Sequence, residues 1–308
     1  MNVGNHEILL ESGTNEIEIM EFTIDKVLYG INVAKVREIL LSMPVKYMPH
    51  THPSVEGIFK PRDTVITVIN LPNYLGCAND QPNDKDLFIL TGFNKMNIAF
   101  RVHTVVGIRR ISWTDIQKPD KTISCGDDGV ATGIAQCGDD LVTILDFEKI
   151  VAESAPETSI QISEIDQLGH RERDMRGVMV AEDSVLLSRM IRESLNKAGY
   201  TNLTMFGNGR ELWEHLKQLK LAGTVEENVA IIITDIEMPQ MDGHRLTKLV
   251  KEDPELKRIP LIIFSSLISE EMRLKGKELG ADEQLTKPEI GRLVKVMDQL
   301  LSYDNFEE

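Results

Sequence analysis

Cysteine is scarce in this chain of 308 residues, and the three present, Cys77, Cys125 and Cys137, show no Cys-x-x-Cys spacing. An odd, irregularly spaced set argues against a disulfide framework and a zinc site, and is typical of reduced cytoplasmic thiols. Long apolar runs are also lacking, so no membrane-spanning helix is predicted. The N-terminus carries Glu7 and Glu11 around a short apolar run, unlike a signal peptide. We expect a cytoplasmic protein without direct membrane insertion.

Positively charged residues are also fewer than negatively charged ones. The chain has 34 Lys and Arg against 49 Asp and Glu, a formal net charge of -15. Because phosphate backbones are bound through electropositive surfaces, we expect no nucleic-acid partner. The length exceeds what one hydrophobic core usually serves, so the sequence predicts more than one domain.

The first half of the chain has a strand-like pattern. Short β-branched runs such as Val65–Ile69 and Leu141–Leu145 alternate with turn formers, which predicts an all-β unit over residues 16–152, a barrel or a sandwich. Helix is predicted there only in short pieces, such as 33–41 and 146–152.

The second half has a different period. Residues 153–175 lack a sustained core pattern and are predicted to be a linker. From 176 to 302, five strand-like runs alternate with helix-length amphipathic stretches. That alternation predicts an α/β domain with a flavodoxin-like, doubly wound parallel sheet.

Reactive polar residues follow four of the five predicted strands of this sheet. A single acidic residue at a strand end is usually a helix cap. Here, however, the carboxyl ends of parallel strands meet at one edge. Three clustered carboxylates imply a hard divalent cation such as Mg²⁺. Mg²⁺ beside a carboxylate and a lysine is an arrangement typical of phosphoryl-transfer sites. The residues are Glu182, Asp183, Asp235, Ser265 and Lys287.

The motifs around these residues resemble the receiver domain of two-component response regulators, above all the block Asp235-Ile-Glu-Met-Pro-Gln-Met-Asp-Gly243. The resemblance implies that Asp235 accepts a phosphoryl group from a kinase phosphohistidine and that Ser265 and Lys287 respond to it. It further implies that Mg²⁺ is held by Glu182, Asp183, Asp235 and the backbone carbonyl of Glu237, and that the Lys287–Pro288 bond is cis. Gln284 departs from the family, which often has an aromatic switch residue there.

The segment from Glu56 to Leu71, which contains Lys60-Pro61-Arg62-Asp63, is similar to the central motif of CheW-like domains. That resemblance implies a double β-barrel and a bridge between a chemotaxis histidine kinase and chemoreceptor tips. It assigns partner contact to Arg62 and Glu38. The combination of a CheW-like and a receiver domain resembles the CheV type of chemotaxis coupling protein.

The leading hypothesis is therefore a non-enzymatic chemotaxis adaptor that is regulated by phosphorylation of Asp235 and recruited to receptor arrays at the membrane. An alternative is a Mg²⁺-dependent phosphohydrolase with Asp235 as nucleophile, although such enzymes usually have a second Asp where Glu237 stands. A third hypothesis, a DNA-binding regulator, is disfavoured because no basic helix-turn-helix follows the receiver and residues 304–308 are acidic.

Overall fold

The structure, a computed structural model, describes residues 16–77, 82–93, 96–117, 129–138, 140–156, 160–266 and 270–303. Cys125, residues 157–159 of the predicted linker and the acidic segment 304–308 lie outside the described residues. No helix within these ranges is both long and apolar enough to span a membrane.

Two β-sheets make up the first half of the chain. Their strands are β1 (Glu16–Ile24), β2 (Val27–Asn32), β3 (Val36–Leu41), β4 (Val55–Phe59), β5 (Ile66–Asn70), β6 (Leu87–Phe93), β7 (Met96–Val102), β8 (Thr104–Ser112), β9 (Ile116–Gln117), β10 (Ala131–Cys137) and β11 (Asp140–Leu145). The six-stranded sheet has the order β8-β1-β2-β11-β10-β9, and the five-stranded sheet has the order β3-β6-β7-β5-β4. The predicted all-β fold is confirmed.

Helical structure in this half is short. The elements are α1 (Leu71–Tyr74), α2 (Phe147–Ser154) and two 3₁₀ turns (Val33–Lys35 and Trp113–Asp115). The helix predicted over 33–41 is wrong beyond the first turn, because Val36–Leu41 forms β3 and pairs antiparallel with β6. Its side chains alternate between half-buried and exposed, the period of a strand, and sheet pairing outweighed the helix-like local spacing.

Helix α2 is held against the β core at a fixed position. The carboxylate of Asp146, its N-cap, accepts a hydrogen bond from the backbone N–H of Lys149 at 2.8 Å. The Phe147 ring is fully buried and stacks edge-on against Phe100, with 4.7 Å between ring centroids. This anchoring fixes the first turn of α2, which contains Glu148.

The second half is an α/β unit with one parallel five-stranded sheet. The strands are β12 (Val178–Ala181), β13 (Leu203–Phe206), β14 (Ile231–Thr234), β15 (Leu261–Ser265) and β16 (Glu283–Thr286), in the order β13-β12-β14-β15-β16. The helices are α3 (Ser163–Asp166), α4 (Val185–Lys197), α5 (Gly209–Ala222), α6 (Val225–Asn228), α7 (Gly243–Glu252), α8 (Glu270–Glu278) and α9 (Ile290–Tyr303). This is the predicted flavodoxin-like fold, with an apolar cluster on each face of the sheet.

Part of the segment predicted as a linker packs on this unit. Ile160 and Ile165 are only 2% and 3% exposed and belong to one of the two apolar clusters. The Glu164 carboxylate accepts a hydrogen bond from the backbone N–H of Gly291, at the start of α9. These contacts attach residues 160–166 to the receiver rather than leaving them as a solvated connection.

Candidate functional site

The predicted reactive residues meet at the carboxyl edge of the parallel sheet. Glu182 and Asp183 follow β12, Asp235 follows β14, Ser265 ends β15, and Lys287 follows β16. Strand register brings these ends together, because the last residue of β12 lies opposite the last residue of β14, and β15 and β16 likewise end side by side. The structure thus assembles the five residues in one place.

The ammonium of Lys287 lies at the centre of this cluster. Its Nζ is 2.6 Å from Oε2 of Glu182 and 2.9 Å from Oδ2 of Asp235. All three residues are at most 3% exposed. The Lys287 ammonium thus bridges the carboxylates that follow β12 and β14. Burying such charged groups away from water costs free energy unless they are paired.

The loop after β14 holds Asp235 in a fixed position. Its Oδ1 accepts a hydrogen bond from the backbone N–H of Ile236 at 2.6 Å. Gly243 at the end of the loop has no room for a side chain, since a Cβ would collide with the backbone carbonyl of Asp235. Asp242 caps α7 by accepting from the N–H of Arg245. The close return of the chain therefore requires Gly243, and Asp242 before it starts the helix.

The backbone of Lys287 is fixed by its neighbours Ser265, on the adjacent strand, and Pro288, the next residue in the chain. Ser265 is 1% exposed, and its carbonyl accepts a hydrogen bond from the backbone N–H of Lys287 at 3.1 Å. The Lys287–Pro288 peptide bond is cis, as the family resemblance implies.

Three residues of the first half complete the site, and sequence reasoning missed them. Oε2 of Glu148 lies 3.3 Å from Nζ of Lys287. Nζ of Lys35 lies 2.7 Å from Oε2 of Glu237 and 3.5 Å from Oε1 of Glu148, and the Asn32 amide donates to the Glu237 carboxylate. Nothing in the spacing of these residues marks them as site residues, because they belong to a different domain.

The electrostatics of the site reflect burial together with crowded charges. Burial raises the pKa of Glu182 and Asp183 well above the usual range, and the neighbouring Asp235 raises both further. Burial opposes the ammonium of Lys287, but Asp235, Glu148 and Glu182 outweigh it, and the pKa of Lys287 rises. For Glu148, burial is outweighed by Lys287 and Lys35, which lower its pKa to about 2. Glu148 thus lies between two ammonium groups, those of Lys287 and Lys35, inside an acidic pocket.

The donor chemistry fits a hard divalent cation. Glu148, Glu182 and Asp235 each present a carboxylate oxygen within 4.8 Å of the other two, and Asp183 adjoins them. Oxygen-only ligand sets are those preferred by Mg²⁺. For Glu237 the predicted ligand is the backbone carbonyl, and its side-chain carboxylate pairs with Lys35.

Arg62 and Glu38, predicted separately as partner-binding residues, lie side by side on the first half. Nη2 of Arg62 is 3.0 Å from Oε1 of Glu38, with side chains 78% and 37% exposed. An exposed pair of this kind adds little stability, so both groups are presented to solvent at small cost.

Gln284, at the position that is often aromatic in receivers, is buried. Its Nε2 donates a hydrogen bond to the carbonyl of Arg273 at 2.8 Å, and it packs against Gly276 of α8. The side chain thus ties β16 to α8 rather than lying at the surface.

Family models match both halves of the chain: the CheW-like domain over residues 18–155 and the response regulator receiver domain over residues 178–298. The chain is 28% identical to chemotaxis protein CheV3 of Helicobacter pylori, over 93% of this chain and 95% of that protein. The chain is a CheV-type protein. It is also 26% identical to CheV2 of the same organism, over 94% and 96% of the two chains.

Among solved structures, the CheV-type chain is similar to the scaffolding protein TtCheW from Thermoanaerobacter tengcongensis, with 21% identity and a TM-score of 0.39 over 47% of this chain and 90% of that one. The two matched domains and the CheV relatives support a chemotaxis signalling adaptor that carries a receiver domain.

Proposed function

We propose that this CheV-type adaptor couples chemoreceptors to a histidine kinase and is regulated by phosphorylation of Asp235. The observation that carries the proposal is the buried Lys287 ammonium held between Glu182 and Asp235 at the carboxyl edge of the sheet. A carboxylate fixed beside an ammonium and other acidic oxygens can accept a phosphoryl group whose charge the site neutralises.

Each side chain then has a role. Asp235 attacks phosphorus through a carboxylate oxygen as the bond from phosphorus to the histidine nitrogen of the kinase breaks and the histidine leaves with the electron pair. Lys287 balances charge on the phosphoryl oxygens. The hydroxyl of Ser265 would bond the phosphoryl group at the end of β15. Glu182, Asp183, Asp235 and the Glu237 carbonyl are the proposed Mg²⁺ ligands. When bound, Mg²⁺ supplies further neutralisation of phosphoryl charge.

Phosphotransfer is tested by offering the full chain a phosphorylated chemotaxis kinase with Mg²⁺ and following label transfer. We expect labelling that is lost in Asp235→Asn and kept in Asp242→Asn, a matched change of a second Asp in the same block. Equal labelling of Asp235→Asn and the unchanged protein would remove the site assignment. Removal of Mg²⁺ with EDTA is expected to abolish transfer in the same assay.

The phosphohydrolase alternative is disfavoured by the side chain at position 237. Such an enzyme needs an acid two residues after the nucleophile that is available to the leaving group, but the Glu237 carboxylate is bonded to Lys35 and Asn32. Sustained turnover of a small phosphate ester by the purified protein would reverse this preference.

For the first half, we propose that Arg62 and Glu38 contact the receptor or kinase and bring the adaptor to receptor arrays. The support is their exposed, paired position, together with the CheW-like match of this half. Binding of the full chain to purified kinase and to receptor fragments is expected to weaken in Arg62→Glu. Arg110→Glu is the matched control, because Arg110 is also exposed and paired with a glutamate, Glu18, on the same half. An equal loss in both variants would show a nonspecific charge effect and refute the assignment.

A further inference from the structure

Glu148 is a buried carboxylate in the acidic cluster but is not among the proposed Mg²⁺ ligands, so the proposed function gives it no role. Glu148 comes from α2 of the CheW-like half, and its Oε2 is 3.3 Å from the Lys287 ammonium. Its side chain is 8% exposed, and its oxygens lie within 4.8 Å of those of Glu182 and Asp235. A third carboxylate around one lysine is unfavourable unless something else holds it there.

The contacts of Glu148 are those a phosphoryl group on Asp235 would need. Such a group carries about -1.5 to -2 charge and three acceptor oxygens. Lys287 and a hydroxyl at the end of β15 are the donors within reach of it. Glu148 bonds this same lysine and also the side chain of Ser266, directly after β15. Its carboxylate therefore takes up Lys287, the cation that the phosphoryl oxygens would use, and lies beside the end of β15 where Ser265 would bond them.

A second set of contacts holds the two halves together beside the pocket. Lys35 pairs with Glu237 at 2.7 Å and with Glu148 at 3.5 Å, and Asn32 donates to Glu237. With these contacts in place, Asp235 is 2% exposed. A side chain with so little exposed surface is poorly accessible to a phosphohistidine on another protein in this arrangement.

We propose that Glu148 is an internal occupant of the phosphoryl pocket that docks the CheW-like half on the receiver, and that phosphorylation of Asp235 expels it. The proposal rests on the proposed function of Asp235. Glu148 and the phosphoryl group carry the same sign of charge and compete for Lys287, so only one of them is bound at a time. Docking therefore disfavours phosphorylation, and phosphorylation disfavours docking by the same free energy.

Tryptophan fluorescence tests docking without any phosphorylation. The chain has two tryptophans, Trp113 and Trp213. Trp113 is 9% exposed and lines a cavity of about 50 Å³ between the halves, together with Asp183 and Glu237. In a Trp213→Phe background, Trp113 alone reports opening of this cavity.

In that background we expect Glu148→Arg, which places a cation against Lys287, to red-shift Trp113 emission and increase acrylamide quenching. Glu153→Arg is the matched control on the same helix, because the Glu153 side chain is 41% exposed and bonds Tyr74 and Lys149 of its own half. Emission that is the same in both variants would overturn the proposal. Far-UV circular dichroism checks folding.

A charge exchange gives a second route that does not depend on Glu148 variants. Lys35→Glu is expected to expose Trp113, and Lys35→Glu with Glu237→Lys is expected to restore the original emission, since the pair at 2.7 Å is reformed with reversed signs. Failure of the double variant to recover any of the shift would contradict an interdomain ion pair.

The kinetic test uses acetyl phosphate and Mg²⁺ on the full chain. The bond from phosphorus to the acetate oxygen breaks as the bond to a carboxylate oxygen of Asp235 forms, and acetate leaves with the electron pair. Minor states of two-state proteins are commonly populated at about 0.1–10%, so opening the site is expected to raise the labelling rate roughly tenfold or more. We expect this gain in Glu148→Ala and not in Glu153→Ala.

Phosphorylation of Asp235 and the occupant role of Glu148 are refuted by different results of this labelling assay. Suppose that Glu148→Ala and the unchanged chain are labelled at equal rates, both above the rate of Asp235→Asn. This result would overturn the occupant role of Glu148 while leaving Asp235 phosphorylation intact. Absence of labelling in every variant would instead refute the proposed function. In that case the Trp113 emission of Glu148→Arg still decides whether Glu148 docks the two halves.

Discussion

Substituting Asp235 and substituting Lys287 should change the stability of the full chain in opposite directions when divalent cations are removed. Asp235→Asn deletes one attraction to Lys287 at 2.9 Å, which is ~6 kcal/mol at an effective dielectric constant of ~20. It also deletes two repulsions, from Glu148 and Glu182, over at most 4.8 Å, each at least ~3.5 kcal/mol by the same relation. The repulsions together exceed the attraction by about 1 kcal/mol.

Asn keeps one carbonyl oxygen, which can accept from the backbone N–H of Ile236 as Oδ1 of Asp235 does, and Lys287 keeps the carboxylates of Glu182 and Glu148 as acceptors. At a pH above the raised pKa of Glu182, where all three carboxylates are ionised, we therefore expect Asp235→Asn to stabilise the chain by about 1 kcal/mol. Lys287→Met leaves Glu182, Asp235 and Glu148 without their shared cation, and is expected to destabilise by about 3–5 kcal/mol.

The measurement is urea unfolding in EDTA, followed by Trp213 fluorescence and far-UV circular dichroism. Asp166→Asn serves as control, because this Asp is 62% exposed and its pair with Lys197 is expected to contribute less than about 1 kcal/mol. A fall in the unfolding midpoint of Asp235→Asn as large as that of Lys287→Met would refute the account of a site with excess negative charge.

Three further predictions concern other parts of the chain. Arg101 is 3% exposed and bonds Glu56 and Asp86, so Arg101→Ala should destabilise the CheW-like half by about 3–5 kcal/mol in urea unfolding, and a loss below 1 kcal/mol would contradict this. Burial lowers the pKa of His244 to about 4, whereas in the unfolded chain its pKa is near 6.5. Between these two pH values the unfolded state binds more protons than the folded state, so the stability of the folded chain should fall as the pH drops from about 6.5 to 4. In thermal melts, His244→Gln should reduce this dependence of stability on pH. Arg62→Ala should change the unfolding free energy by less than about 0.5 kcal/mol, whereas a larger loss would give Arg62 a structural role.

The receiver half was predictable because its rules are local and repetitive. Alternating strand and helix periods predict a parallel sheet, and in such a sheet the carboxyl ends of strands lie on one edge. Residues that follow strands, such as Asp235 and Lys287, are therefore neighbours before any coordinates are known. The CheW-like half was less regular, and Val36–Leu41 was predicted as helix because its spacing alone does not reveal that it pairs with β6.

Two domains, their fold classes and the acidic cluster around Asp235 could be predicted from the amino-acid sequence, since each follows from periodicity and from motifs within one domain. The residues that face this cluster from the other half became known from the packed structure. Glu148 and Lys35 lie 87 and 202 residues before Asp235 and Glu237, on a short helix and a 3₁₀ turn of the other half. No local spacing records which surface of one domain packs on another, because docking depends on side chains that meet only after both domains have folded.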